Sequence, residues 1–280
     1  MKGLGALLPT FGELTTALLI IALFSGFIVN YQYELTDPFI STVAIETVLP
    51  FGAFWRALHF WSGQLFFLTL LYHGLDKIWN PQTFSKRLSP KMHWSIMSLT
   101  LPCAILILFT GYVLRFDATG RAASSIFEHL LTSIPLIGTA LNRILASINN
   151  EGLNRIYIIH ILLTCLLWGI GTWYHTRKVI LSAFSFFIAS IISLIIASII
   201  NAPIDLPGQK VHLIKGPWFF LGIQELLRYM PPLIAGVIFP AIPIILLSSL
   251  SWIKRRLYSY ILLLLWTVSY FTLTIIALLR

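Results

Sequence analysis

One stretch constrains this chain more than any other: Arg56-Ala-Leu-His59-Phe-Trp-Ser-Gly-Gln-Leu-Phe-Phe-Leu-Thr-Leu-Leu-Tyr-His73. It is apolar, long enough to cross a bilayer, and carries two histidines fourteen residues apart. As a helix it sets the two imidazoles roughly 21 Å apart along its axis and within roughly 40° of the same face. One face of one helix thus offers a ligand near each side of a hydrocarbon core about 30 Å thick.

The rest of the chain has the composition of a membrane protein. Hydrophobic residues make up 58% and charged residues 10%, more apolar surface than a soluble core has use for. Seven spans are expected, at about 11–31, 52–79, 92–115, 152–176, 178–201, 229–251 and 256–279. The first lacks a small-residue cleavage site and is followed by further spans, so it reads as a retained helix. Cys103 and Cys165 lie inside apolar runs and suggest neither a disulfide framework nor covalent haem attachment.

The net charge of +9 does not point to nucleic acid. With a cytoplasmic N-terminus, that side holds Lys2, Lys77, Lys86, Arg87, Lys91, Arg177, Lys178, Lys254, Arg255 and Arg256 against the acids Asp76 and Glu13. The opposite side mixes its basic residues with Glu34, Asp37, Glu46, Asp117, Glu128, Glu151, Asp205 and Glu225. This is the positive-inside bias, which fixes orientation in a membrane.

Gly12 and Gly26 in the first span repeat the fourteen-residue step of His59 and His73. Membrane helices are rich in glycine; alternatively, a flat cofactor at each histidine presses against a glycine of the facing helix. Residues 32–51 read as an extracytoplasmic loop. Arg56 lies about one turn before His59, where it either pairs with a carboxylate beside that histidine's ligand or snorkels to the interface. The third span places Gly111 near its outer end, with Met97 fourteen residues earlier. Segment 116–151 is too polar to span but has apolar residues at helical spacing, so surface amphipathic helices are expected over about 124–148.

The fourth span carries His160 and His175, fifteen residues apart, roughly 22 Å along the axis. Running parallel to the second span, it puts His160 level with His59 and His175 level with His73. Ionisable groups inside membranes are rare and point to function. Two opposed imidazoles at each depth suit bis-histidine haem ligation between helices, with chance or a proton path as the competing reading. Zinc is disfavoured, because neither depth adds a thiolate or carboxylate.

At this point the chain resembles the cytochrome b subunit of quinol–cytochrome c oxidoreductases, the cytochrome bc complexes. The resemblance rests on Phe11-Gly12, Ser25-Gly26, Arg56-Ala-Leu-His59, His73, Thr110-Gly-Tyr-Val-Leu114, Leu131-Thr-Ser-Ile-Pro-Leu-Ile-Gly138, His160 and His175. The fifteen-residue step is similar to the plastid-type and Gram-positive branch. The implied fold is all-α, with seven transmembrane helices. Residues 1–177 form a four-helix haem-binding bundle, and 178–280 form a three-helix region contributing to a quinol site.

The resemblance further implies two b-type haems, an outer one on His59 and His160 and an inner one on His73 and His175, with Gly12, Gly26 and Gly111 against them and Arg56 meeting an outer propionate. Quinone or menaquinone is the implied substrate. The implied partners are a Rieske-type iron–sulfur protein or c-type cytochrome, with a homodimer among the assemblies expected. The location is a bacterial cytoplasmic membrane, among lipid.

Three departures bear on mechanism. The family's Pro-Glu-Trp-Tyr appears as Gly216-Pro217-Trp218-Phe219, similar to a menaquinol-type variant but with Pro217 where the glutamate stands. Its Pro-Trp-Gly is replaced by Arg115-Phe116-Asp117. Thr10 takes the place of the cysteine that holds an extra covalent haem in plastid-type proteins, so none is expected. Glu225, eight residues after Pro217, is the nearest downstream carboxylate and is expected either to accept the quinol proton or to be a solvated interfacial acid. Two further readings are a haem-anchored electron-relay scaffold without its own bifurcating quinol site, and a haem-free transporter.

Overall fold

The protein is described here by a computed structural model covering residues 9–79, 89–147, 152–176, 179–206 and 214–280. Residues 80–88, including Lys86 and Arg87, and Lys2, Glu151, Arg177 and Lys178 lie outside these residues. Among the described residues every regular element is helical. The helices are α1 (Phe11–Tyr31), α2 (Pro38–Thr47), α3 (Gly52–Trp79), α4 (Pro90–Ser98), α5 (Thr100–Leu114), α6 (Ala118–Thr132), α7 (Gly138–Leu145), α8 (Leu153–Trp168), α9 (Ala183–Ile199), α10 (Leu221–Leu226), α11 (Phe239–Ser249) and α12 (Arg256–Leu279). π-helical turns continue α8 over Gly169–Thr176 and precede α11 over Leu233–Ile238.

Four stretches are long and apolar enough to cross a membrane alone: Phe11–Tyr31, Pro90–Leu114, Leu153–Thr176 and Arg256–Leu279. Helix α3 passes the same test together with α2, from which it is bent by 108°. Ala183–Ile199 and Leu233–Ser249 are shorter apolar helices. The chain is a multi-pass all-α membrane protein. The third span is broken at Leu99, where α4 gives way to α5. The helical pair expected over about 124–148 falls on α6 and α7, which span Ala118–Thr132 and Gly138–Leu145; residue 148 lies outside the described residues.

The chain divides into two compact units: residues 1–85 with 165–206, and residues 86–164 with 207–280. This division by compactness differs from the boundary expected at residue 177.

In the first unit α1 lies along α3, and α9 packs against both. Thr10 starts α1 with a reciprocal cap: its hydroxyl accepts from the Glu13 amide at 3.3 Å, and the Glu13 carboxylate accepts from the Thr10 amide at 3.1 Å. Helix α9 buries Ser185, Ala189, Ser193 and Ala197. Four small residues at a four-residue step form one stripe, which lets backbones approach closely where lipid offers no hydrophobic drive. In the second unit α4 packs on α11, α5 on α6, and α10 on α12. Ser95 and Ser98 hydroxyls donate to the Ser248 carbonyl and hydroxyl at 2.7 and 3.0 Å, stapling α4 to α11.

Candidate functional site

Both histidines of α3 face glycines of α1. A Cβ added at Gly26 would stand 2.8 Å from His59 Cε1, and one at Gly12 would stand 3.2 Å from His73 Cε1. The shared fourteen-residue step is therefore a contact rule: each glycine is the gap into which one imidazole fits. Any side chain at Gly26 forces the ring to move; at Gly12 a small one forces only a slight adjustment.

His59 is also oriented. Its Nδ1 is 2.9 Å from the Ala22 carbonyl oxygen, on the same helix as Gly26. A carbonyl can only accept, so Nδ1 carries the proton and Nε2 keeps its lone pair. That is the arrangement a metal-ligating histidine requires.

His73 and His175 belong to the same unit, and their ring centres are 6.3 Å apart with planes at 75°. Two imidazoles on opposite sides of one metal ion, each with a metal–nitrogen bond of about 2.0 Å and about 1.1 Å more to its ring centre, have centres about 6 Å apart. The observed separation fits one iron between them. Among the described residues no three His, Cys, Asp or Glu side chains cluster as a metal site.

In the second unit the same motif recurs at His160. A Cβ at Gly111 would lie 3.4 Å from His160 Cε1, an ordinary contact. His160 Nδ1 is 2.9 Å from Thr110 Oγ1 and 3.1 Å from the Ile107 carbonyl. The Thr110 hydroxyl donates to the Leu106 and Ile107 carbonyls at 2.8 and 2.9 Å, which leaves its oxygen to accept from Nδ1–H. Nε2 is again the nitrogen that carries no proton. His59 and His160 fall in different units; His59 is placed by Gly26 and Ala22, His160 by Thr110 and the Ile107 carbonyl.

Arg56 is buried and engaged by its own chain. Its Nε pairs with Glu46 at 2.6 Å, Nη1 donates to the Pro203 carbonyl at 3.2 Å, and Nη2 donates to the Ala202 carbonyl. The carboxylate beside it is thus Glu46 of α2, and the snorkelling alternative does not hold: both side chains are under a tenth exposed. Trp61, two residues beyond His59, donates to the Ile200 carbonyl at 2.8 Å.

Residues 214–225 form one folded turn. Pro217 precedes a 3₁₀ turn over Trp218–Phe220 that leads into α10. Gln224 straps it down, accepting from the Gly216 amide at 2.7 Å and donating to the Ile214 carbonyl at 2.9 Å. Trp218 is exposed and Phe219 buried. The Phe219 carbonyl accepts from the Tyr270 hydroxyl at 2.5 Å.

Glu225 corrects one expectation. It is 2% exposed, not a solvated interfacial acid. Its carboxylate meets Arg228 and Arg280 at 3.2 Å each and accepts from the Tyr229 hydroxyl at 2.9 Å.

Sequence reasoning missed Ala22, Thr110 and Glu46 as partners. Thr110 had a signal, since it adjoins Gly111 within the quoted Thr-Gly-Tyr-Val-Leu motif. Ala22 acts through its backbone, which no side-chain pattern announces. Glu46 was read as a loop acid because helix α2 went unrecognised.

Comparison with known proteins follows the same lines. The family model described as cytochrome b/b6/petB matches residues 6–179. The cytochrome b6 of Heliobacterium modesticaldum is 27% identical over 157 residues, 54% of this chain and 72% of that protein. The menaquinol:cytochrome c reductase cytochrome b subunit of Geobacillus thermodenitrificans is 25% identical over 157 residues, 54% of this chain and 69% of its own. Among solved structures, a hyperthermophilic respiratory Complex III chain shares the fold with a TM-score of 0.66 at 18% identity, covering 96% of this chain and 83% of its own.

Proposed function

The chain belongs to the cytochrome b/b6 family, and from that premise we propose that it is the di-haem b subunit of a respiratory complex that oxidises quinol. The observation that carries this reading is the repeated fit of an imidazole into a glycine gap, at His59 and His73, with His175 6.3 Å from His73. His73 and His175 would hold the inner haem; His59 and His160 would hold the outer one, on the strength of their register in the sequence. When bound, b-type haem supplies a reversible one-electron iron centre near each membrane face.

The protein's own residues perform the rest. Ala22 and Thr110 hold Nδ1 of His59 and of His160 and so keep the proton off Nε2 in each. Arg56 would share its guanidinium between Glu46 and a propionate. The apolar spans keep water out of the path, so each charge crossing it works against about 2.3 kcal/mol per 100 mV.

Pro217 and Trp218 would border the quinol, and Glu225 would accept its proton. Two guanidiniums and a phenol lie on the Glu225 oxygens. The second electron leaves through a subunit outside this chain, of Rieske or c-type cytochrome kind, in a bacterial cytoplasmic membrane with the N-terminus inside. The menaquinol:cytochrome c reductase relative supports menaquinol as the substrate.

One observation favours a second reading. Pro217 stands where the family has glutamate, so the chain would relay electrons as a haem-anchored scaffold without its own bifurcating quinol site. A reduced-minus-oxidised spectrum with haem quantification tests the first level: two b-type haems per chain are expected, and none would leave a haem-free transporter. Turnover with a quinol analogue, with and without an outer-site inhibitor, separates the two electron-transfer readings.

A further inference from the structure

The segment Arg115-Phe116-Asp117 follows α5 directly. Phe116 has φ 54°, the left-handed region that a bulky residue adopts only when its surroundings hold it there. That kink folds the chain so that two residues two apart face each other: Arg115 Nη2 lies 2.8 Å from Asp117 Oδ2 and 3.1 Å from Oδ1. Their side chains are 9% and 0% exposed. Asp117 also caps α6, accepting from the Gly120 amide at 2.8 Å.

A cap needs only an acceptor, and Asn or Ser serves as well as Asp. A buried ion pair is no more stabilising than apolar packing of the same volume, so neither requirement accounts for the pair. What it adds is a fixed planar cation. The Arg115 guanidinium carbon lies 4.7 Å from the centre of the Tyr112 ring. Tyr112 in turn meets Phe219 edge-on, ring centres 5.8 Å apart, while the Tyr270 hydroxyl donates to the Phe219 carbonyl.

We propose that the Arg115–Asp117 pair positions the turn 217–220 through Tyr112, and so sets how tightly a quinol ring is held there. This rests on reading 217–220 as part of the quinol site. Asp117 fixes the guanidinium, the guanidinium fixes the Tyr112 ring, and that ring sets where Phe219 and its neighbour Trp218 stand. Neither charged residue touches substrate; both act through the tyrosine.

The test uses the assembled complex in membranes, with dimethylnaphthoquinol as donor and the rate of b-haem reduction as readout. Asp117→Asn keeps the cap and removes the charge. It should raise KM about tenfold, a loss within the range of one cation–π contact, while kcat and haem content stay near wild type. Arg115→Lys, which keeps the charge but not the planar face, should raise KM less; it also carries the test if Asp117→Asn does not accumulate.

The double variant Arg115→Gln, Asp117→Asn leaves no unpaired buried charge and should still show the raised KM. Arg115→Gln combined with Tyr112→Leu should be no worse than the worse single variant, because both act through one ring. A wild-type KM in these variants with normal turnover, or additive effects in the last pair, overturns the positioning role alone. A wild-type complex with two haems and no quinol-driven reduction overturns it together with the outer-site reading.

Discussion

The two histidines of α3 meet the same helix through the same kind of gap, yet they are held differently. His59 is fixed twice by α1, by the space at Gly26 and by the Ala22 carbonyl on its Nδ1. His73 meets Gly12 more loosely and faces His175 across 6.3 Å, with the Asp76–Lys77 pair in the next turn at 3.0 Å. One pocket is shaped by backbone before anything binds; the other is defined by two imidazoles that a shared ligand would draw into place. Identical spacing in the sequence thus sets depth, while local hydrogen bonding sets rigidity.

Removing a ligand tests the comparison most strongly. His59→Leu should abolish one b-type haem and leave the other in part, and His73→Leu should do the reverse. Quantification that finds two haems in either variant breaks the assignment. Next in size is the clamp one turn before His59. Glu46→Gln leaves the Arg56 charge buried without its acid, a loss of about 3–5 kcal/mol, seen as a lowered melting temperature of the detergent-solubilised protein. No change in melting would mean that the pair is solvated.

The glycines then sharpen the difference between the pockets. Gly26→Ala should displace His59 and cut outer-haem occupancy several-fold, whereas Gly12→Ala should lower inner-haem occupancy less, in line with Cβ contacts of 2.8 and 3.2 Å. Equal losses at both sites would show that the cofactor, not the histidine, limits the space. The smallest effect belongs to Gly111→Ala, where the 3.4 Å contact is ordinary. Its haem content should match wild type, and a clear loss would place more than the His160 ring in that gap.

Much of this was legible beforehand, for identifiable reasons. Long apolar runs, the fourteen-residue step and the pairing of Gly12 and Gly26 with two histidines follow from helical geometry, which every residue in the run obeys. What escaped depends on distant parts of the chain or on backbone alone. Helix α2 is short, opens with Pro38 and turns through 108° into α3; its mixed polarity looks like a loop. The start of α6 was set too late, because its first turn, Ala-Thr-Gly-Arg, has no apolar stripe, and the Asp117 cap was its only signal. Glu225 is buried by Arg280, fifty-five residues further on, and no local pattern reports that. The π-helical turn after α8 has no composition of its own.

The Arg56 clamp has a consequence for the order in which this protein is built. Glu46 leaves the ribosome ten residues before Arg56, so their pair can form while the second helix is still entering the membrane. The carbonyls of Ala202 and Pro203 are synthesised about 146 residues later. Until then the guanidinium has only Glu46 of the three partners that hold it among the described residues, and the early hairpin is held by one ion pair. The arrival of α9 and the segment after it completes the set. The arginine therefore acts as a timer as well as a tie, since the first unit reaches its final rigidity only when the stretch around Ala202 and Pro203 has been made.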